Sequence, residues 1–190
     1  MYKNNSRHSS IFKGYSPLQL SYNLTGMKPQ DIVVLLKIIA QNNDNWQQIP
    51  LAYALKMSQS EVSQSVARSK YAGLLDDSGK RVMRQAFNDF LQYGLAVVFP
   101  AKPGAIVRGM PTAHSAAPLN LEISSGENYV WPFAMGSVRG HGITPLYASV
   151  PQAALEDVQL YELLSLVDAL RVGKVREKNL AIQELKHRIC

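Results

Sequence analysis

The sequence predicts an α+β chain, mostly α, in which helical stretches flank a Pro/Gly-rich middle. Three observations carry this. Apolar residues recur at three- and four-residue spacings in several stretches, the period that gives a helix one buried stripe. Ser58 and Glu61 stand three apart just before such a stretch, a pattern that marks a helix start. Residues 100–151 hold seven of the ten prolines, many glycines and few charges, which suits loops or short strands.

The elements follow in order. Residues 1–26 are expected to form an N-terminal arm, polar and basic over 1–14, and a short strand. There Leu18, Leu20, Tyr22 and Leu24 alternate with Gln19, Ser21 and Asn23. Pro29 and Asp31 suit the first turn of a helix, where a missing N–H costs nothing and a carboxylate meets the positive end of the dipole. Ile32, Leu35, Leu36 and Ile39 give it an apolar stripe, and Asn42-Asn43-Asp44-Asn45 ends it. Trp46 reads as a core anchor. Residues 49–57 form a short helix with Pro50 in its first turn. The Ser58/Glu61 box then opens a third helix, Gln59 to about Ala72, with Gly73 as terminator.

Leu74-Leu75, Asp76-Asp77-Ser78-Gly79 and Lys80-Arg81-Val82-Met83 read as strand, tight turn, strand. A helix from Gln85 to Val98 carries Phe87, Phe90, Leu91, Leu95 and Val98, and Pro100 and Pro103 close it. Within 100–151 the run Ile106-Val107-Arg108-Gly109 is echoed by Ser137-Val138-Arg139-Gly140. Residues 152–172 return to helix through Leu155, Leu160, Leu163, Leu164, Val167 and Leu170. Gly173 breaks the pattern, and 174–189 form a last amphipathic helix. The expected organisation is therefore an arm and strand (1–26), a helical domain with a hairpin (27–99), a Pro/Gly-rich segment (100–151) and C-terminal helices (152–190).

Composition narrows the function. The 190 residues are 46% hydrophobic and 18% charged, with a formal net charge of +6. That is enough apolar material for a core, and a moderate cationic excess fits a protein that meets phosphates on one face. The longest apolar run, Ile32 to Ala40, is interrupted by Lys37 and far short of the ~20 residues that span a bilayer. Residues 1–26 lack the apolar core of a secretory signal. The single cysteine, Cys190, permits no internal disulfide, which points to a cytoplasmic protein. His8, His114, His141 and His187 lack the short spacings of zinc ligands. No glycine-rich phosphate loop is present, so no cofactor is expected. Neither His114 nor His141 has a carboxylate nearby in sequence to orient it, so no catalytic residue and no enzyme activity are expected.

Helix, short helix, tight turn, helix, hairpin, helix is the order of a winged helix-turn-helix. Ala52 falls where the two helices of the unit come closest, and Val62 packs back on the first of them. Val62 and Val66 point inward. Ser60, Ser63, Gln64, Ala67 and Lys70 point outward, with Arg68 near the edge. Serine and glutamine can bond base edges or phosphates, and arginine can hold guanine through two hydrogen bonds. Ser58 and Gln59 place the free amides of the helix start toward a phosphate. The hairpin adds Lys80, Arg81 and Arg84 to this expected DNA contact set.

The stretch LAYALKMSQSEVSQSVARSKYAGLL resembles the helix-turn-helix of bacterial MarR-type winged regulators, a resemblance that covers about residues 28–98. It implies sequence-specific double-stranded DNA binding by a transcriptional regulator. The turn position usually filled by glycine is Lys56, which must take a left-handed conformation at a cost of roughly 1 kcal/mol. The C-terminal helices are expected to pair two copies into a homodimer. Arg108, His114, Trp131 and Arg139 are candidates for a small anionic effector or a partner surface. Against this stand two readings: Trp131 filling a core while the arginines cap carbonyls, and a protein-interaction or antitoxin-like accessory subunit built on the same scaffold. An RNA-binding winged helix is the third.

Overall fold

The computed structural model describes residues 26–190, so the arm and the strand expected before Gly26 lie outside the described residues. The chain is α+β and mostly helical. α1 (Pro29–Gln41) begins on Pro29, with the Asp31 carboxylate accepting from the Lys28 N–H at 2.8 Å. It ends on Asn42 in the left-handed region. Residues 32–39 of α1 are all buried, Lys37 included. The Lys37 ammonium is satisfied by Asp157 at 2.6 Å, and that same carboxylate group caps a later helix.

α2 (Gln48–Leu55) and α3 (Gln59–Tyr71) are joined by three residues. Lys56 lies at φ 54°, ψ 38°, and the N–H groups of Lys56 and Met57 return to Tyr53 and Ala52. This is the left-handed helix end that usually takes glycine. The cost of a side chain there is partly offset, because the Lys56 ammonium sits 4.8 Å from the centre of the Tyr53 ring and 2.9 Å from Glu156. Ala52 and Val62 are buried where α2 meets α3, as their positions predict.

The hairpin that follows is shorter than expected. A single bridge joins Leu75 and Val82, with Asp76 N–H bonded to the Arg81 carbonyl and Met83 N–H to that of Leu74. The Asp76 side chain takes up the turn amides of Lys80 and Arg81, so the residues expected to be strand serve as an extended turn. α4 runs through Arg84–Asp89, a π turn at Phe90–Gly94 and Leu95–Val98. Phe87, Leu91 and Leu95 are its buried stripe.

The Pro/Gly-rich segment forms a three-stranded sheet: β1 (Ile106–Pro111), β2 (Tyr129–Pro132) and β3 (Val138–Gly142). β1 pairs antiparallel with both others, and β2 pairs parallel with β3, so the three strands close on themselves. So small a ring requires backbones to touch. A Cβ on Gly109 would lie 2.1 Å from the Trp131 carbonyl oxygen, and one on Gly140 would lie 2.4 Å from that of Asn128. Each glycine of the echoed Val-Arg-Gly run is therefore a point of contact with the β2 segment.

The helix expected over 152–172 is two helices, α5 (Val150–Leu155) and α6 (Val158–Val172), because Asp157 starts the second by accepting from the Leu160 N–H. α7 (Val175–Ile189) packs along α6. Leu160, Leu163, Leu164, Val167, Leu170, Leu185 and Ile189 are buried inside the chain. The apolar faces expected to pair two copies are thus largely covered within the chain, with Leu155, Val158 and Val175 left exposed. One cluster of buried side chains runs from Ile32 to Ile189. Among the described residues no helix is long and apolar enough to cross a membrane.

Gly109→Ala tests the closure of the sheet. Its Cβ meets backbone and not a movable side chain, so the strands must separate. We expect destabilisation beyond about 3 kcal/mol, at the severe end for single substitutions, read as a fall in the urea midpoint. An unchanged midpoint would mean that β1 and β2 do not approach as described.

Candidate nucleic-acid interface

The surface begins with α3. Ser58 Oγ accepts from the Glu61 N–H at 3.2 Å, and the Glu61 carboxylate accepts from the Ser58 N–H at 3.2 Å, closing the box that the spacing predicts. With Val62 and Val66 fixed inward, the outward side carries Gln59, Ser60, Ser63, Gln64, Ala67 and Lys70, all exposed. Gln64 Nε2 reaches Ser60 Oγ at 3.3 Å, so these two act as one polar patch on adjacent turns. Glu61 is the only acidic residue on α3, and it turns away from this face.

Arg68 does not belong to the face. It is 3% exposed and reaches inward to Asp31, itself 0% exposed, with Nε at 2.9 Å from one carboxylate oxygen and a terminal nitrogen at 2.6 Å from the other. Ser65 Oγ donates to the same carboxylate. Arg68 follows Ser65 by three positions and lies beside the buried stripe of Val62, Ser65, Val66 and Ser69. A charged partner on α1 decided that it turns in. The signal was Asp31, whose place in a first turn explained it sufficiently on its own.

The hairpin cations are largely spent. Lys80 Nζ donates to the Trp46 carbonyl at 2.6 Å and lies 4.5 Å from the centre of the indole ring. The Trp46 Nε1–H donates back to the Lys80 carbonyl at 2.8 Å. Arg84 donates to the Ile189 carbonyl at 2.7 Å, at the negative end of α7. Both therefore clasp the fold, where the sequence suggested free cations. Arg81 differs: it meets Asp44 at 3.0 Å, but both side chains are well exposed and the pair is weak in water. The loop tip itself carries Asp76 and Asp77.

Three contacts tie the start of α3 to the second half of the chain. The Tyr147 hydroxyl donates to Glu61 at 2.6 Å, Ser149 Oγ donates to the Leu55 carbonyl at 2.6 Å, and Lys56 pairs with Glu156. The Tyr147 bond, with the Ser58 donors, holds the Glu61 carboxyl below the ordinary carboxylate range, and it pushes the Tyr147 phenol up.

Of the four residues named for an effector, Arg108 and Arg139 stand opposite each other on the sheet, while Trp131 and His114 are buried apart from them. Trp131 is buried, and its Nε1–H donates to Asp168 at 2.5 Å. The same carboxylate accepts from Thr112 at 2.9 Å and from Arg171 at 2.7 Å. Burial pushes the Asp168 carboxyl up, against the pull of the Arg171 guanidinium and of the Trp131 and Thr112 donors. Arg171 goes on to the Phe99 and Thr144 carbonyls. His114 is buried with Nε2 2.9 Å from the Glu127 carbonyl, which only accepts, so that nitrogen carries the proton. Its Nδ1 has no hydrogen-bond partner and lies 3.6 Å from Glu177. Arg108 and Arg139 are exposed on the sheet, and among the described residues neither caps a carbonyl. Among the described residues no group of three or more His, Cys, Asp or Glu could hold a metal ion.

Comparison with known proteins finds no match: no family model, no curated protein and no solved structure is significantly similar to this chain.

Two outcomes follow from this geometry. Arg68→Ala leaves a buried carboxylate unpaired and is expected to cost about 3–5 kcal/mol, measured by urea unfolding. Exchanging Asp31 and Arg68 together for apolar residues of similar volume should recover most of that. A loss under 1 kcal/mol for the single variant would show the pair to be open to solvent. The second outcome concerns acid. A carboxyl with a lowered folded pKa contributes stability above its unfolded pKa and loses it as pH falls through the folded value. Tyr147→Phe should move the Glu61 titration upward toward its ordinary value, followed by NMR of the side-chain carboxyl. An unmoved titration would mean that the Tyr147–Glu61 bond is not formed in solution.

Proposed function

We propose that this chain is a sequence-specific double-stranded DNA-binding protein, a cytoplasmic bacterial transcriptional regulator that acts through a winged helix-turn-helix and performs no catalysis. The observation that carries the reading is the outward face of α3. It is short-chained, polar and free of carboxylates, and it stands on a helix whose tilt is set by a buried ion pair. Such a face can enter a major groove, where serine and glutamine match base donors and acceptors. Ser60, Ser63 and Gln64 supply readout, Ala67 leaves room for a thymine methyl, and Lys70 meets a phosphate. Arg81 is the hairpin residue placed to leave a weak partner for a phosphate.

Binding to two half-sites calls for a homodimer, and its interface falls outside α6 and α7. Tyr93, Val97 and Val98 of α4 offer exposed apolar surface for it. Exposed Ile49 and Tyr53, one turn apart on α2, favour the second reading, in which this scaffold docks a protein.

Fluorescence anisotropy with random duplex and with the DNA upstream of the gene tests the reading. Wild type should prefer a particular duplex, with affinity that falls steeply as salt rises because bound cations release condensed counterions. Gln64→Ala should weaken the preferred duplex by about 1–3 kcal/mol, roughly 5- to 150-fold, with little effect on random sequence. Absence of binding to any duplex at low salt would refute the DNA reading, and recovery of one stoichiometric protein partner would favour the docking reading in its place.

A further inference from the structure

The two Val-Arg-Gly runs become a structural pair in the sheet. In the register of β1 with β3, Arg108 stands opposite Arg139, Val107 opposite Gly140, and Gly109 opposite Val138. The echo is a local two-fold centred on two arginines. Residues directly opposed in an antiparallel pair share one face, with Cβ atoms about 4.5–5.5 Å apart. Both guanidiniums therefore project together from the outer face. Among the described residues, neither forms an ion pair with any carboxylate. By contrast Arg68, Arg84, Arg171 and Arg188 each hold a carboxylate or a carbonyl.

Like charges set directly opposite each other destabilise a sheet, and neither exposed side chain gains from packing. An anion with several acceptor oxygens reverses that balance, since guanidinium presents paired donors that match a phosphate. The position matters as well. The Arg108 carbonyl accepts from the Phe133 N–H, and Pro132 and Phe133 border the cleft that Lys56, Tyr147 and Ser149 also line. The sheet thus adjoins the turn that leads into α3.

We propose that Arg108 and Arg139 form a clamp for one phosphate group of the duplex that α3 reads, extending its footprint beyond the helix and hairpin. This rests on the DNA-binding reading above. The clamp contributes affinity without sequence preference, because a backbone phosphate is the same at every step.

The test uses the full chain and compares wild type with Arg108→Gln/Arg139→Gln on the preferred duplex across a salt series. It is accompanied by thermal unfolding with and without inorganic phosphate. The double variant should lower the slope of log affinity against log salt by about one, because the pair neutralises one phosphate. The ratio of preferred to random affinity should stay unchanged, and the melting temperature without phosphate should be equal or higher. If the double variant fails to fold, each single variant should lower the slope by part of that one unit. An unchanged slope in a variant that folds overturns the clamp and leaves the DNA reading standing. If wild type binds no duplex, the DNA reading fails and phosphate decides the clamp. Stabilisation by phosphate of wild type but not of the variant would make free phosphate the ligand and overturn the duplex as its source. Equal behaviour of the two proteins would overturn the clamp altogether.

Discussion

The buried pair of Asp31 and Arg68 decides how α3 is presented. A carboxylate and a guanidinium without water must stay in contact, because separating them in a low-dielectric interior leaves each uncompensated. Two hydrogen bonds from one planar guanidinium, with a third from Ser65, leave little freedom for α3 to slide or rotate on α1. Val62 and Val66 alone would allow many packings, since apolar contact is not directional. The ion pair selects one, and the exposed row from Gln59 to Lys70 follows from that selection.

Asp168 does the corresponding work for the second half. It lies on α6 and draws in β2 through Trp131, the end of β1 through Thr112, and the chain after α4 through Arg171 and the Phe99 carbonyl. The closed sheet cannot bury an interior of its own, because glycines sit at its contacts where side chains would otherwise fill it. It is stable as a cover for α6. That is also why most apolar residues of α6 and α7 are covered within the chain, Val158 and Val175 excepted. The two halves then meet at the start of α3, where Tyr147 and Ser149 reach Glu61 and Leu55. A shift of the sheet relative to α6 would be felt first at that helix cap.

The elements that local chemistry dictates were readable in the sequence. The Ser58 box, the inward Val62 and Val66, the left-handed Lys56 and the Gly73 stop each depend on residues within a few positions, and each stands where its neighbours put it. What could not be read was decided by partners far along the chain. Arg68 looked like an edge residue because Asp31, 37 positions earlier, already had a sufficient role at a helix start. Lys80 and Arg84 looked like free cations because their acceptors are the backbone carbonyls of Trp46 and Ile189, which carry no sequence signal. The break between α5 and α6 was masked by continuous apolar spacing, although Asp157 before a helical run is itself a start signal. The Val-Arg-Gly echo was visible as a repeat, but its meaning depended on register, which three-residue matches do not specify.

A net charge of +6 therefore says little by itself about where this protein meets an anion. Many cations are held by an oxygen that the fold brings near, Lys37, Arg68, Lys80, Arg84 and Arg171 among them. A guanidinium that satisfies a buried carboxylate or the end of a helix cannot leave without exposing that oxygen unpaired, at a cost no surface phosphate repays. Among the cations able to act outward are Lys70 on α3, Arg81 in its solvated pair, and the two opposed arginines on the sheet. They lie on three different elements, so together they define a surface far more specific than the total charge.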